Sequence, residues 1–209
     1  REILMRSAPH IIHPLRFVMP HDQGQRPAWM IRAGLFLYDH LAKRELLPGS
    51  HGIDLRQHSA GVPLKASFSK GFVYSDGWVN DARLVVLNAI AAAENGATIL
   101  TRTECVAVKR NANDWNATLR TAQNEEIQVQ AKLLMNAAGP WAASFLHDTV
   151  HGRAGKKLRL IKGSHIVVKK LFDHPYAYIF QHPDGRIVFA IPYEQDFTLI
   201  GTTDIDYHG

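Results

Sequence analysis

Lys162-Gly163-Ser164-His165 places a cation, a flexible joint, a hydroxyl and an imidazole on four consecutive residues between two apolar runs. Such a set suits an anionic or hydride-donating substrate, because lysine meets negative charge while histidine exchanges protons near neutral pH. A surface bulge with a solvated lysine would use the same residues. Gly201-Thr202-Thr203-Asp204 closes a strand-like run with two hydroxyls and a carboxylate behind a glycine. That geometry fits polar ligand contacts at a sheet end, and equally an Asx or ST turn. Arg186 follows the turn Asp184-Gly185 and carries a fork able to grip a phosphate, although arginines in such places are commonly just exposed.

A third run has a different chemistry. Asn136-Ala137-Ala138-Gly139-Pro140-Trp141 follows an apolar, strand-like stretch from Ile127 to Met135, and a short helix is expected over 142–146. Small residues between a strand and a helix let the backbone approach a nucleotide, since no Cβ bulk intervenes. The other half of such a site, a Gly-x-Gly-x-x-Gly turn after a strand, does not occur in the 209 residues. The chain therefore reads as part of an enzyme. Its opening at Arg1-Glu2-Ile3-Leu4-Met5, already helix-like, and its end at His208-Gly209 read as those of an excised fragment.

Other patterns carry less. His147 and His151 are four apart with Asp148 between them, but Thr149-Val150 and Gly152 oppose a helix through both imidazoles and no third ligand is marked, so no metal is expected. Gly152-Arg153-Ala154-Gly155-Lys156-Lys157 has too short a spacing for a phosphate loop and no Ser or Thr after the lysine; it reads as a basic loop. No Gly-x-Ser-x-Gly elbow is present, which disfavours a Ser-His-Asp hydrolase. Cys105 is the only cysteine, excluding an internal disulfide and a multi-cysteine zinc site, and agreeing with a reducing compartment such as the cytoplasm. The composition, 46% hydrophobic and 21% charged, is that of a globular chain with a sizeable core. Its apolar runs fall short of the roughly 18 to 20 residues that span a bilayer. The net charge of +5 comes from scattered basic residues with no interleaved aromatic stripe, so nucleic acid is not the expected partner.

These residues must be held by a mixed sheet with a few helices. Residues 1–7 read as helix, and Pro9, Pro14 and Pro20 restrict Ile11-Ile12 and Leu15 to Met19 to short extended pieces in an edge or crossing segment. Helical spacing runs from Ala28 to Lys43. Residues 45–78 are dense in glycine and proline, predicting loops with one strand from Gly71 to Tyr74. Asn80 or Asp81 caps a helix that ends at Asn95-Gly96. A meander over 98–109, 115–121 and 127–136 follows, then strand-like runs at Leu158 to Ile161, Ser164 to Val168, Tyr176 to Gln181, Ile187 to Pro192 and Phe197 to Gly201.

With those pieces in order, the chain resembles the aerobic, FAD-dependent glycerol-3-phosphate dehydrogenase family of the D-amino-acid-oxidase-like flavoproteins. The carrying motifs are Arg26-Pro27-Ala28-Trp29-Met30-Ile31-Arg32, Tyr38-Asp39-His40-Leu41, Tyr74-Ser75-Asp76, Val79-Asn80-Asp81-Ala82-Arg83-Leu84, the run from Asn136 to Trp141, Leu160 to Val168 and Ile200 to Asp204. Ala-x-Gly-Pro-Trp alone points only to the superfamily, whereas Lys-Gly-Ser-His together with Gly-Thr-Thr-Asp is far more specific. Ala138 departs from the threonine of many relatives but stays small.

The resemblance implies an α+β or α/β fold, a mixed β-sheet substrate domain with packed helices plus part of an FAD-binding, Rossmann-like domain. Residues 1–78 would belong to the substrate or cap domain, 79–150 to the FAD-binding domain and 151–209 to the substrate-domain sheet. The implied reaction oxidises sn-glycerol 3-phosphate to dihydroxyacetone phosphate, with hydride passing to FAD and electrons to quinone, by a cytoplasmic protein associated peripherally with the inner face of the membrane. Ala138, Gly139, Pro140 and Trp141 would neighbour FAD, and Cys105 and Val106 would pass its adenine. His165 would be catalytic, and Lys162, Ser164, Arg186, Thr202 and Thr203 would touch substrate. An oxidase that hands electrons to oxygen, and a non-catalytic module that docks on acidic lipid or protein, are the alternatives.

Overall fold

The computed structural model describes residues 1–22, 24–41, 43–152, 158–182 and 184–207. Ala42, at the end of the expected second helix, and Arg153 to Lys157 of the basic loop lie outside the described residues. The chain divides into two compact units, one of residues 1–87 and 162–205, the other of residues 88–161 and 206–209.

The first unit is built on a seven-stranded sheet. In chain order its strands are β1 (Ile12–His21), β2 (His51–Asp54), β3 (Lys70–Val79), β8 (His165–Lys169), β9 (Ala177–Gln181), β10 (Ile187–Tyr193) and β11 (Phe197–Gly201). They lie in the order β2-β3-β1-β9-β10-β11-β8. Only β1 and β9 run parallel, pairing at Phe17 with Ala177 and Val18 with Tyr178; the other neighbours are antiparallel. The directions bring the C-terminal ends of β1, β9 and β11 and the N-terminal ends of β3, β8 and β10 to one end of the sheet. Period-two alternation then sends successive side chains to opposite faces. Phe17, Met19, Phe72 and Ile179 pack on one face with Ala28, Ile31 and Leu35 of helix α2 (Ala28–His40). Val18, Val73, Tyr178 and Ala190 pack on the other with Leu55 and Ala60 from the loop before β3.

Strand β1 overturns the expectation of short extended pieces at an edge. It is ten residues long and interior, with Val18 fully buried. Proline is excluded from a central strand where its missing N–H is needed. Here Pro14 and Pro20 stand opposite Gly77 and Gly71, and β9 pairs with β1 only at Phe17 and Val18, so neither proline must donate to that neighbour. Strand β3 likewise exceeds its expected four residues, because β1 supplies a partner along its full length.

Helix α1 (Glu2–Ser7) precedes β1, and α3 (Asp81–Glu94) runs from the first unit into the second. The caps of α3 follow its sequence signals. Asn80 Oδ1 accepts the Arg83 N–H at 3.1 Å, and beyond the helix Gly96, at φ +89, gives its N–H to Ala93 O while Ala97 gives its own to Ala92 O. That paired closure is the Schellman arrangement.

The second unit carries the antiparallel meander β4 (Thr103–Arg110), β5 (Trp115–Thr121) and β6 (Glu126–Ala131). Residues 98–102 and 132–136, expected as strand, lie outside it. A strand needs a partner, and β5 begins at Trp115, opposite Ala131, leaving the chain beyond Ala131 nothing to pair with among the described residues. The expected helix over 142–146 is a composite of a 3-10 turn (Gly139–Trp141), one α turn (Ala142–Ser144) and a π turn (Phe145–Thr149). Strands β7 (Leu160–Lys162) and β12 (Ile205–Tyr207), the latter not foreseen in the sequence, form a two-stranded ribbon. No helix among the described residues is long and apolar enough to cross a membrane.

Candidate functional site

Two of the chemistry-bearing runs meet. Lys162-Gly163-Ser164-His165 leads from β7 into β8, and Gly201-Thr202-Thr203-Asp204 leads from β11 into β12. Because β8 pairs with β11 and His165 stands opposite Gly201, the two turns lie side by side at one end of the sheet. Thr203 joins them. Its Oγ1 accepts the Ser164 N–H at 2.8 Å and donates to Lys162 O at 3.4 Å, and its own N–H reaches Ser164 O at 3.3 Å. The Thr202 hydroxyl donates to Thr203 O at 2.9 Å. Gly163 is required by space, since a Cβ there would run into the Thr202 hydroxyl. His165, Lys162 and Ser164 are exposed, so a ligand approaching this end of the sheet would meet an imidazole, an ammonium and a hydroxyl together.

Arg186 sits at the same end of the sheet, on the hairpin joining β9 to β10. Its Nε and Nη2 hold Asp184 Oδ2 at 2.7 and 2.6 Å. That partner pulls the Asp184 carboxyl well below the usual carboxylate range, with the Arg186 side chain the largest cause. His182 Nδ1 lies 2.8 Å from the same carboxylate. Beside this hairpin opens a cavity of about 670 Å³, walled by Pro20, Phe68, Phe180 and Val188 and edged by Arg26 and His182. Little in the residue pattern points to it. Arg26 follows β1 and His182 follows β9, and strand ends are where a scaffold presents functional loops, but nothing in their spacing joined residues more than 150 positions apart.

The remaining candidates lie in the second unit. Asn136 holds the small-residue turn from both sides, donating from Nδ2 to Ala142 O at 2.8 Å and accepting the Ala138 N–H on Oδ1 at 3.2 Å. Gly139 takes φ +54, a left-handed conformation that favours glycine, and no atom lies within 4 Å of where its Cβ would be. Pro140 is the second residue of the 3-10 turn and Trp141 is 71% exposed. The peptide groups of Ala138 to Trp141 are thus presented on an open surface, which fits the close approach of a nucleotide. Cys105 and Val106 lie on β4, which borders the π turn following Trp141. The register shifts between Cys105 and Ala107, making Val106 the extra residue of a bulge. Burial pushes the Cys105 thiol up. His147 is engaged by Asp148 at 2.6 Å, and no group of three His, Cys, Asp or Glu stands together among the described residues.

Comparison with known proteins places these features. The family model of the FAD dependent oxidoreductases matches residues 1–209, and the chain belongs to that family. It is 54% identical over its whole length to a glycerol-3-phosphate dehydrogenase of Pseudomonas aeruginosa, covering 40% of that protein. It is 49% identical to a D-erythritol 1-phosphate dehydrogenase of Brucella abortus, covering 42% of it. Among solved structures, the glycerol-3-phosphate dehydrogenase of Bacillus halodurans complexed with FAD superposes with a TM-score of 0.76 at 25% identity, over 99% of this chain and 37% of that one. The chain thus spans about two fifths of the length of these relatives.

Proposed function

We propose that the chain forms the substrate-binding sheet and part of the flavin-binding wall of an enzyme that oxidises sn-glycerol 3-phosphate to dihydroxyacetone phosphate. What carries this reading is the meeting of Lys162 to His165 with Gly201 to Asp204 at one sheet end, in a chain 54% identical to a named glycerol-3-phosphate dehydrogenase. FAD, held in part by the open peptide groups of Ala138, Gly139, Pro140 and Trp141 and passed by Cys105 and Val106, supplies the hydride acceptor. Lys162 meets the substrate phosphate, with Arg186 joining it by exchanging its Asp184 partner for the ligand. His165 takes the C2 hydroxyl proton as the C2 hydrogen departs, and the Ser164 and Thr202 hydroxyls orient the glycerol oxygens. Quinone is the onward acceptor, reached through peripheral association with the inner face of the cytoplasmic membrane.

The test offers the FAD-bearing protein glycerol 3-phosphate, D-erythritol 1-phosphate and unphosphorylated glycerol, first anaerobically to follow flavin reduction and then with oxygen or a quinone analogue admitted to follow reoxidation. Flavin reduction by the phosphorylated triol, with dihydroxyacetone phosphate as product and a quinone analogue reoxidising the flavin faster than oxygen does, is the expected result. Preference for the four-carbon phosphate would move the assignment to that substrate. Peroxide release at the full turnover rate would make the enzyme an oxidase, and reduction by glycerol alone would remove the phosphate from recognition.

A further inference from the structure

We infer that Gly201 and Thr203 are positioning residues for His165: the bare backbone of Gly201 is the slot in which the imidazole lies, and the Thr203 hydroxyl clamps the turn that carries it. The inference rests on the proposed catalytic reading of His165 and says how that side chain is aimed.

A side chain at position 201 would have no room. An ideal Cβ on Gly201 would stand 2.5 Å from His165 Cδ2, 2.8 Å from His165 Cγ and 2.8 Å from Ser164 O. Real Cβ atoms do not approach other heavy atoms so closely, so either the ring or the strand would have to shift. Gly201 does not have a left-handed φ, unlike Gly139 and Gly185, so conformation does not demand a glycine there. Space does. His165 is exposed, and no hydrogen bond to its ring is present among the described residues. The imidazole lies against the β11 backbone, on the cross-strand pair His165 and Gly201. Residues directly opposite in an antiparallel pair come within about 4.5 to 5.5 Å at Cβ, so the His165 ring can fold over the backbone of its partner because Gly201 has no Cβ in that space.

Thr203 completes the device. Its hydroxyl accepts from Ser164 N and donates to Lys162 O, and its amide donates to Ser164 O, so three contacts from one residue hold the turn immediately before His165. A hydroxyl occupied in this way has little capacity left for substrate, and we assign Thr203 to holding the turn in place of the substrate contact expected from the sequence. Holding a reacting group to within a fraction of an ångström matters because a misplacement of about 1 Å can cost on the order of 100-fold in rate.

The experiment uses the FAD-bearing protein and two readouts. Gly201→Ala should lower kcat for glycerol 3-phosphate by roughly 100-fold while KM changes by less than about threefold, since the atoms nearest a Cβ at 201 belong to His165 and Ser164 and not to the proposed phosphate contacts Lys162 and Arg186. With isotopically labelled histidine, the ring resonances of His165, assigned by their loss in His165→Ala, should move in Gly201→Ala while those of the other histidines stay. Should Gly201→Ala fail to fold, the Thr203 pair decides: Thr203→Val should show the same kcat loss and ring shift, and Thr203→Ser, which keeps the hydroxyl, should restore both. Unmoved His165 resonances in a folded Gly201→Ala protein, or Thr203→Ser no better than Thr203→Val, would overturn the inference. A His165→Ala protein that turns over normally would sink the catalytic reading instead, and the ring resonances would still report whether the slot exists.

Discussion

At the scale of single residues, burial and hydrogen bonding decide what each titratable group can do. His174 stacks on Phe172 at 4.5 Å and donates from Nε2 toward the Tyr178 hydroxyl at 2.8 Å, because that hydroxyl itself donates to Ala60 O. Its Nδ1 is buried without a hydrogen-bond partner among the described residues. Burial is the main reason the imidazole titrates below its ordinary value of 6.5, followed by the nearby His58, which is itself lowered by burial and then by His51 and Arg16. A depressed folded value means that the unfolded chain takes up the proton first as pH falls. The stability that neutral His174 provides is thus complete above about pH 6.5 and is lost as pH falls below it and through the lower folded value. The thermal midpoint should hold steady above pH 7 and decline toward pH 5. The variant His174→Gln, which keeps an N–H donor for Tyr178 but binds no proton, should decline less. Identical slopes for the two proteins would show that His174 is not the group responsible. None of this was legible in the sequence, since Tyr178 and Ala60 are 118 positions apart. The chemistry-bearing types at 162–165 and 201–204 could be read off; that one glycine among them faces the imidazole could not.

At the scale of elements, local signals succeeded where local chemistry dominates. Helix α3 begins and ends where Asn80 and Gly96 say it should, because a cap is a contact between residues three or four apart. Asn80→Ala should cost about 1 kcal/mol in chemical unfolding by removing the acceptor for Arg83 N–H, and Asn80→Ser should recover most of it; equal losses in the two variants would mean that the cap contributes nothing. Strand β1 failed the local rule because the number of its partners, which no window of sequence contains, decides whether Pro14 and Pro20 are tolerated. Residues 132–136 failed for the converse reason. Apolar and strand-like, they find no partner among the described residues, and Leu133 and Met135 remain exposed at 70% and 80%. The turn 55–61 falls where the glycine-rich stretch predicts loops, and there Gly61 lies so close to the Leu55 carbonyl that no side chain fits. Gly61→Ala should destabilise the first unit by at least about 2 kcal/mol, measured by denaturant unfolding; a loss below about 0.5 kcal/mol would mean that the loop relaxes freely.

At the scale of the whole molecule, the family and the mixed-sheet fold were both visible in the order of the motifs, and the match along residues 1–209 agrees with that order. The first unit returns at Lys162 after an excursion of 74 residues and carries both halves of the Lys162 and Gly201 pairing, while the open turn at Gly139 belongs to the second. Trp29 and Leu41, on and after α2, and Trp141, in the 3-10 turn, are exposed apolar side chains. We propose that His165 stands beside a flavin and receives a proton from a phosphorylated polyol. Stopped-flow reduction of the bound flavin by glycerol 3-phosphate, compared between the FAD-bearing protein and its His165→Ala variant, tests it most directly. Equal flavin content with reduction slowed by 10²-fold or more in the variant, in the range expected for loss of a general base, is the predicted result. A protein that carries no flavin, or a variant reduced as fast as its parent, would contradict it.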